Sequence, residues 1–404
     1  MRILIAPDKF KGSLSAREVA ENIEAGFRRV LPEATIDIVP MADGGEGTAE
    51  VISHALDGSW LKCQAHDALG CKIEARYAYI EGKKLAVMQM SEAAGLRRLT
   101  SGVGDPLRAS TFGVGEILFD ATRHGARKVI IGLGGSATND GGFGMARALG
   151  FRFFANQIEL TNGPAELPGL TKISRPKDLH LPRICAAADV RNPLLGERGA
   201  TRVFGPQKGA ISEQIVILEQ ALTRLADIVA RELGCEFRNT PGAGAAGGLG
   251  FGLMSFGGAE LRSGFDLVAE ILQLEQKVNQ ADIVVTGEGR LDGQTLEGKT
   301  PAGVAQIARK QGKPICAIVG QIDRKIDYSR LFDAVYELAR PPVSKVEAIR
   351  LGAELLRERA QEAALFLRDS KLRRTGTKQP KTTASSRAES QKNGQSRRGN
   401  GLPE

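Results

Sequence analysis

Apolar and polar positions along this chain follow two alternating periods. Short apolar runs of strand character break into glycine-rich polar loops, and apolar residues at helical spacing follow each loop. Arg2-Ile-Leu-Ile-Ala6 leads into Pro7–Ser13. Ser15-Ala-Arg-Glu18 then forms a capping box that opens a helix with Val19, Ile23, Phe27 and Val30 on one face. Ile36-Asp-Ile-Val39 runs into Ala42–Thr48, and a helix continues to about Ala55. This repetition predicts a parallel sheet with right-handed crossovers.

The period changes near Ser59. Ala75–Ile80 and Leu85–Met90 alternate around a Glu81-Gly82 turn, which predicts an antiparallel hairpin. Helical spacing returns at Thr111–His124. Val129–Leu133 then reads as a buried strand, with a helix over Met145–Gly150. A strand ends at Cys185–Asp189, and Ile211–Leu233 reads as a long amphipathic helix. Pro241–Gly258 is rich in glycine and alanine, and Leu267–Leu274 is helical in pattern. Strand–helix alternation resumes with Asp282–Thr286, Pro301–Lys310, Pro314–Val319 and Ala334–Leu338, and Val346–Leu367 closes as a helix.

The expectation is therefore an α/β protein of two domains. A Rossmann-like parallel-sheet domain is built from both chain ends, residues 1–78 and 286–368. A second, mixed-sheet α/β domain is inserted over residues 79–285.

Composition changes this picture in two places. The chain has 404 residues, 42% of them apolar, which is ample for a core, and no apolar run long enough to cross a membrane. The net charge of +8 is concentrated in the last residues: 371–404 carry +7 of it, so the rest is close to neutral and offers no basic nucleic-acid surface. That tail has almost no apolar residues and is expected to be disordered. The five cysteines are scattered, with no C-x-x-C, and there are four histidines, so no zinc site is expected. Cys185 and Cys316 lie in apolar runs and read as core thiols. With no signal-peptide pattern, a cytoplasmic location is expected.

Candidate chemistry lies in five loops, each just after a strand: Pro7–Ser13, Ala42–Thr48, Gly132–Gly142, Asp189–Gly196 and Gly287–Gly293. Ligands of open α/β sheets bind outside the carboxyl ends of the strands. In Gly132-Leu-Gly134-Gly135-Ser136-Ala137-Thr138-Asn139-Asp140-Gly141-Gly142, a strand breaks into glycines at a helix start. The free N–H groups and the positive helix end there suit a phosphate. Lys9 and Lys11 are point charges suited to a phosphate or carboxylate, and Asp43 and Glu46 flank glycines. Asp189 ends an apolar strand, a placement suited to a general base or a Mg²⁺ ligand. Each loop on its own could equally be a tight turn.

Two tempting matches fail on context. Gly293-x-x-x-x-Gly298-Lys299-Thr300 has the letters of a P-loop, but the preceding residues Glu288–Asp292 are polar and the strand has already ended near Thr286. Lys299 and Thr300 remain candidates for a phosphate contact. Gly132-Leu-Gly134 and Gly287-Glu-Gly289 lack the third glycine of a dinucleotide fingerprint, which argues against a nicotinamide cofactor.

Taken together, Ala6–Ser13, Met41–Thr48, the Gly132–Gly142 run, Ala188-Asp-Val-Arg-Asn-Pro-Leu-Leu195, and Thr286–Asp292 with Gln294–Pro301 closely resemble the class I glycerate kinases. The motifs occur in the family's order and span residues 1 to about 365. The basic tail lies outside the pattern. The resemblance implies ATP- and Mg²⁺-dependent phosphorylation of D-glycerate, at the 2-hydroxyl in this class, between two α/β domains. It implies no nucleic-acid or membrane partner, and it leaves the oligomeric state open.

On that reading Gly134, Gly135, Ser136, Thr138, Asn139 and Lys299 are expected to bind the nucleotide phosphates. Lys11, Asp43, Glu46 and Ser13 are expected at the substrate. Asp189, Lys9 and Arg290 are expected in catalysis, and Asp189 with Glu288 at the metal. The alternatives are a nucleotide-binding regulator without turnover and a kinase that forms 3-phosphoglycerate.

Overall fold

A computed structural model describes residues 1–99, 104–296 and 299–375. Two sheets organise these residues. The first is wholly parallel, in the order Thr35–Ile38, Arg2–Ile5, Ile283–Thr286, Ile315–Val319, Ala334–Glu337. Numbered by sequence, this is the 2-1-3-4-5 order of a doubly wound sheet, with its switch point between Arg2–Ile5 and Ile283–Thr286. The second sheet is mixed. Glu260–Arg262, Arg183–Ala187, Lys128–Gly132 and Leu85–Gln89 run parallel, and Lys72–Ile80 and Ser59–His66 continue antiparallel.

The junctions between the sheets differ from the expected 78/79 and 285/286. The hairpin Ser59–His66 with Lys72–Ile80 hydrogen-bonds to Leu85–Gln89, so it belongs to the inserted sheet and not to the chain-end part. At the far side, Ile283–Val285 already pair with Ile3–Ile5. The shift of period at Ser59 was the true boundary, but a hairpin carries no mark of which sheet it will join.

Alternation along the strands divides the core into three layers. In the parallel sheet Ile3, Ile5, Ile283, Val285, Cys316 and Ile318 face outward, onto the helices Ala16–Val30 and Gly352–Thr375. Leu4, Ala6, Val284, Ala317 and Val319 face the other way. There they share one core with Ala78, Ile80, Leu85, Val87 and Ile130 of the mixed sheet, and with Ile52, Phe265, Val268, Val304 and Ala305. The helices Thr48–Ala55, Gly264–Ile271 and Thr300–Lys310 thus fill the space between the sheets. On its far face the mixed sheet buries Met88, Val129 and Ile131 against Phe112–Arg123, Ser212–Leu233 and Ala245–Gly257. The shared middle layer locks the two sheets together.

Two helices differ in extent from the pattern reading. The closing helical segment is two helices, Lys345–Arg350 and Gly352–Thr375. The second continues through residues 371–375, the start of the stretch expected to be disordered; residues 376–404 lie outside the described residues. No helix among the described residues is long and apolar enough to cross a membrane.

Candidate active site

The switch point of the parallel sheet sets the position of the site. Ala6 N–H donates to Val285 O at 2.7 Å, and Asp8 N–H donates to Gly287 O at 2.8 Å. The segment after the first strand is thereby held beside the end of the third. Loops from the mixed sheet meet it there. A Cβ on Gly134 would lie 2.7 Å from Gly45 Cα, and one on Gly264 only 2.0 Å from Asp43 O. These backbone contacts require glycine and bring residues 43–46, 132–136, 187–189 and 263–264 into one corner.

Lys9 lies at the centre of this corner. Its Nζ is 3.7 Å from Asp8 Oδ1 and 3.7 Å from Asp43 Oδ1. Asp8, only 6% exposed, is fully engaged. Its Oδ1 accepts from Lys9 N–H at 2.6 Å, and its Oδ2 accepts from the Thr300 hydroxyl at 2.7 Å. Thr300 opens the helix Thr300–Lys310, so the Asp8 carboxylate sits at a positive helix end. Asp43 Oδ1 also accepts from Gly45 N–H at 3.1 Å.

Electrostatics follow from this crowding. Burial works to lower the Lys9 pKa, but Asp8, Asp43, Glu46 and Asp189 outweigh it and hold the ammonium above its usual range. Burial pushes Asp8 up to about 6, with Lys9 pulling the other way. Asp189 is also shifted upward, by lost hydration and by Asp43 and Asp8, while Lys9 and Lys299 oppose the shift. Its side chain opens to the cleft, where water tempers that rise. Asp189 and Lys299 both line a cleft of about 2520 Å³ between the Glu260–Arg262 region and the helix Thr300–Lys310.

The Gly132–Gly142 run divides into two halves. Gly135 takes a φ of 76°, and among the described residues the N–H groups of Gly134, Gly135 and Ser136 donate to no protein acceptor. Gly134 packs against Gly45 and Gly135 against Ser91, and the three N–H groups are left available for an anion. Thr138 and Asn139 are fully buried instead. The Asn139 amide donates to the Thr201 hydroxyl at 2.9 Å, and the Thr138 carbonyl accepts from the buried Lys208 ammonium at 2.7 Å. Asp140 is buried too. Its carboxylate accepts from Thr111 N–H and hydroxyl, both at 2.8 Å, and from the N–H groups of Gly142 and Gly144.

The remaining candidates scatter. Ser13 turns away, its hydroxyl donating to Ile349 O at 3.0 Å. Lys11 is exposed next to Gly289. Glu46 is exposed and paired with Arg97. Arg290 is exposed, 3.7 Å from Asp292. Glu288 is buried and accepts from the Thr295 hydroxyl at 2.6 Å. Burial pushes it up to about 7, with the Thr295 hydrogen bond and Lys299 opposing and Asp8 adding to the rise. Among the described residues, no group of three or more His, Cys, Asp or Glu is placed to hold a metal ion.

Gly293 lies in a short helix, Gly293–Leu296, and the Thr300 hydroxyl is committed to Asp8, which is not the layout of a P-loop.

With this geometry in hand, the relatives of the chain decide its family. The model of the Glycerate kinase family matches residues 3–368. The chain belongs to the glycerate kinase family. It is 42% identical over 369 residues to the glycerate kinase of Halalkalibacterium halodurans, covering 90% of this chain and 97% of that one. It is 42% identical over 359 residues to the glycerate 2-kinase of Escherichia coli, covering 87% and 93%. A crystal structure of a putative glycerate kinase 2 from Salmonella typhimurium superposes with a TM-score of 0.80 at 40% identity, covering 92% of this chain and 99% of that one. The basic tail beyond residue 368 lies outside the family match.

Sequence reasoning passed over Asp8 and Lys208, and it read Thr300 as a phosphate contact where its hydroxyl donates to Asp8. Asp8 stood in plain view directly after the first strand, but attention went to the lysines around it. Thr300 bonds Asp8 across nearly the whole chain, a pairing that no local pattern encodes.

Proposed function

We propose that this protein is an ATP-dependent kinase that phosphorylates D-glycerate at its 2-hydroxyl, giving 2-phosphoglycerate, in the cleft beside Asp189 and Lys299. The observation that carries this reading is the convergence on one corner of Lys9, three carboxylates and the unpaired N–H groups of Gly134–Ser136. Phosphoryl transfer needs positioning and charge neutralisation more than covalent chemistry, and this corner supplies both.

In this reading the substrate hydroxyl oxygen attacks the terminal phosphorus, and the bond from that phosphorus to the bridging oxygen breaks to release ADP. Asp189, which ends a strand with its carboxylate open to the cleft, accepts the hydroxyl proton. Lys9 stays protonated and offsets negative charge on the transferring group. The N–H groups of Gly134–Ser136, with Lys299, hold phosphate oxygens.

The acidic corner also fits Mg²⁺. Asp189 presents open, hard oxygens beside Asp43, and a cation carried in with the triphosphate would be held there and neutralise phosphate charge. Glu288, bonded by Thr295, is left out of that set. A cytoplasmic setting accords with the scattered free thiols, of which Cys185 and Cys316 are buried.

The test is ADP release from purified protein with Mg·ATP and D-glycerate, with the product resolved by position. Turnover to 2-phosphoglycerate supports the reading. Formation of 3-phosphoglycerate would move the acceptor to the other hydroxyl, and ATP binding without turnover would replace the kinase with a regulator.

A further inference from the structure

The corner around Lys9 adjoins the cleft through Asp189 and Lys299, and the rest of the cleft has its own chemistry. The helix Thr300–Lys310 forms one wall and serves as a ruler. At 1.5 Å of rise per residue, Gln306 and Ile307 lie roughly 10 Å along the axis from Lys299, and Lys310 about 16 Å. The facing wall is the strand Glu260–Arg262 with the helices Gly264–Ile271 and Leu274–Gln280.

Charge changes along this ruler. At the near end Lys299 stands opposite Asp189, and Arg191 and Arg198 also line the cleft. Beyond them the cations are neutralised in place. Arg262 pairs with Glu270 at 2.6 Å, and Lys310 pairs with Glu275 at 3.2 Å. Between these pairs the walls present the carboxamides of Gln273, Gln276, Gln280 and Gln306. All four are at least partly exposed, and none makes a side-chain hydrogen bond among the described residues. Phe265, Ala269 and Ile307 give this stretch an apolar lining.

A nucleoside triphosphate has the same polarity, anionic at one end and neutral with hydrogen-bonding edges at the other. A carboxamide carries both donors and an acceptor, and it pairs two-pronged with the amino edge of adenine. The alternative of a second anion is disfavoured by Glu270 and Glu275, which leave no net positive charge at that depth.

We infer that the carboxamide-lined stretch, with Gln306 and Ile307 at its centre, holds the base and ribose of the nucleotide donor while its phosphates lie toward Lys299. The inference rests on the proposed ATP-dependent reaction and adds to it the place where the base is recognised.

The test uses the full-length enzyme and Gln306→Ala. KM for ATP should rise about 3- to 10-fold, the loss of one neutral hydrogen bond, with KM for D-glycerate unmoved. Inorganic tripolyphosphate, which has phosphates but no base, should inhibit wild type and variant equally. Ile307→Asp, which sets a charge against the base without touching the carboxamide, should also raise KM for ATP and leave tripolyphosphate inhibition unchanged. Wild-type KM for ATP in both variants would overturn the inference while leaving the kinase reading intact. Equal weakening of ATP and tripolyphosphate would overturn it as well. A wild-type enzyme that does not turn over ATP with glycerate would remove the kinase reading and this inference with it.

Discussion

The two halves of the Gly132–Gly142 run are continuous in sequence and opposite in role. Gly134–Ser136 keep N–H groups without a protein acceptor among the described residues, while Thr138–Asp140 are buried and tied to Thr201, Lys208 and Thr111. The same contrast separates two lysines. Lys9 sits among carboxylates that hold its ammonium charged. Lys208 is buried and donates to the Thr138 carbonyl, and burial pushes it down to about 7, with Asp140 opposing. A glycine-rich string or a lysine therefore has no chemistry of its own. What packs against it decides whether it meets a ligand or holds the fold.

The sharpest attempt to break this comparison is Lys9→Met. It leaves Asp8 and Asp43 without the cation beside them and Asp189 with Lys299 alone, and kcat should fall about 10²- to 10³-fold with the fold retained. Steady-state kinetics with a circular-dichroism melt checks it, and an unchanged kcat would place Lys9 with the structural lysine. In the buried half, Gly247→Ala should act on stability. Gly247 has a φ of 69°, and a Cβ there would lie 1.9 Å from Thr138 O. The expected loss is about 2–4 kcal/mol, read from urea unfolding.

Lys208→Met sharpens the comparison through pH. The native Lys208 pKa, about 7, lies below its ordinary 10.5, so the unfolded chain binds the extra proton between these values. Wild-type stability should therefore gain from this residue as pH rises from about 7 to 10.5, by a few kcal/mol at most. Asp140 is the charged group that acts on Lys208, and the Thr138 carbonyl accepts its hydrogen bond. Urea midpoints at pH 7 and pH 9.5 should show a flatter rise in the variant, and parallel curves would contradict the assignment. The smallest effect belongs to Ser13→Ala. Among the described residues its hydroxyl donates to Ile349 O, so kcat/KM should stay within twofold of wild type.

Much of the fold could be read from the sequence because periodicity is local. The Ser15 capping box is present as expected, with Ser15 and Glu18 bonded reciprocally. The return of strand–helix alternation after Asp282 correctly foretold a parallel sheet made from both chain ends. Residues 59–78 were expected with the chain ends, whereas their strands join the sheet of Leu85–Gln89, because pairing partners are decided in three dimensions. The site was legible as a set of loops, and the structure brings Lys9, Asp43, Asp189 and Lys299 together as electrostatic neighbours. It could not be read finely. Ser13, Thr138 and Asn139 look identical to ligand-binding residues until their partners Ile349, Lys208 and Thr201 are seen.

The account stands most directly on Asp189, and the measurement is kcat for Mg·ATP and D-glycerate in Asp189→Asn beside wild type, with melting temperatures taken in parallel. The account predicts a loss of about 10²- to 10⁴-fold at an unchanged melting temperature, as expected when a positioned proton acceptor is removed. Near-wild-type turnover in a folded variant would contradict it.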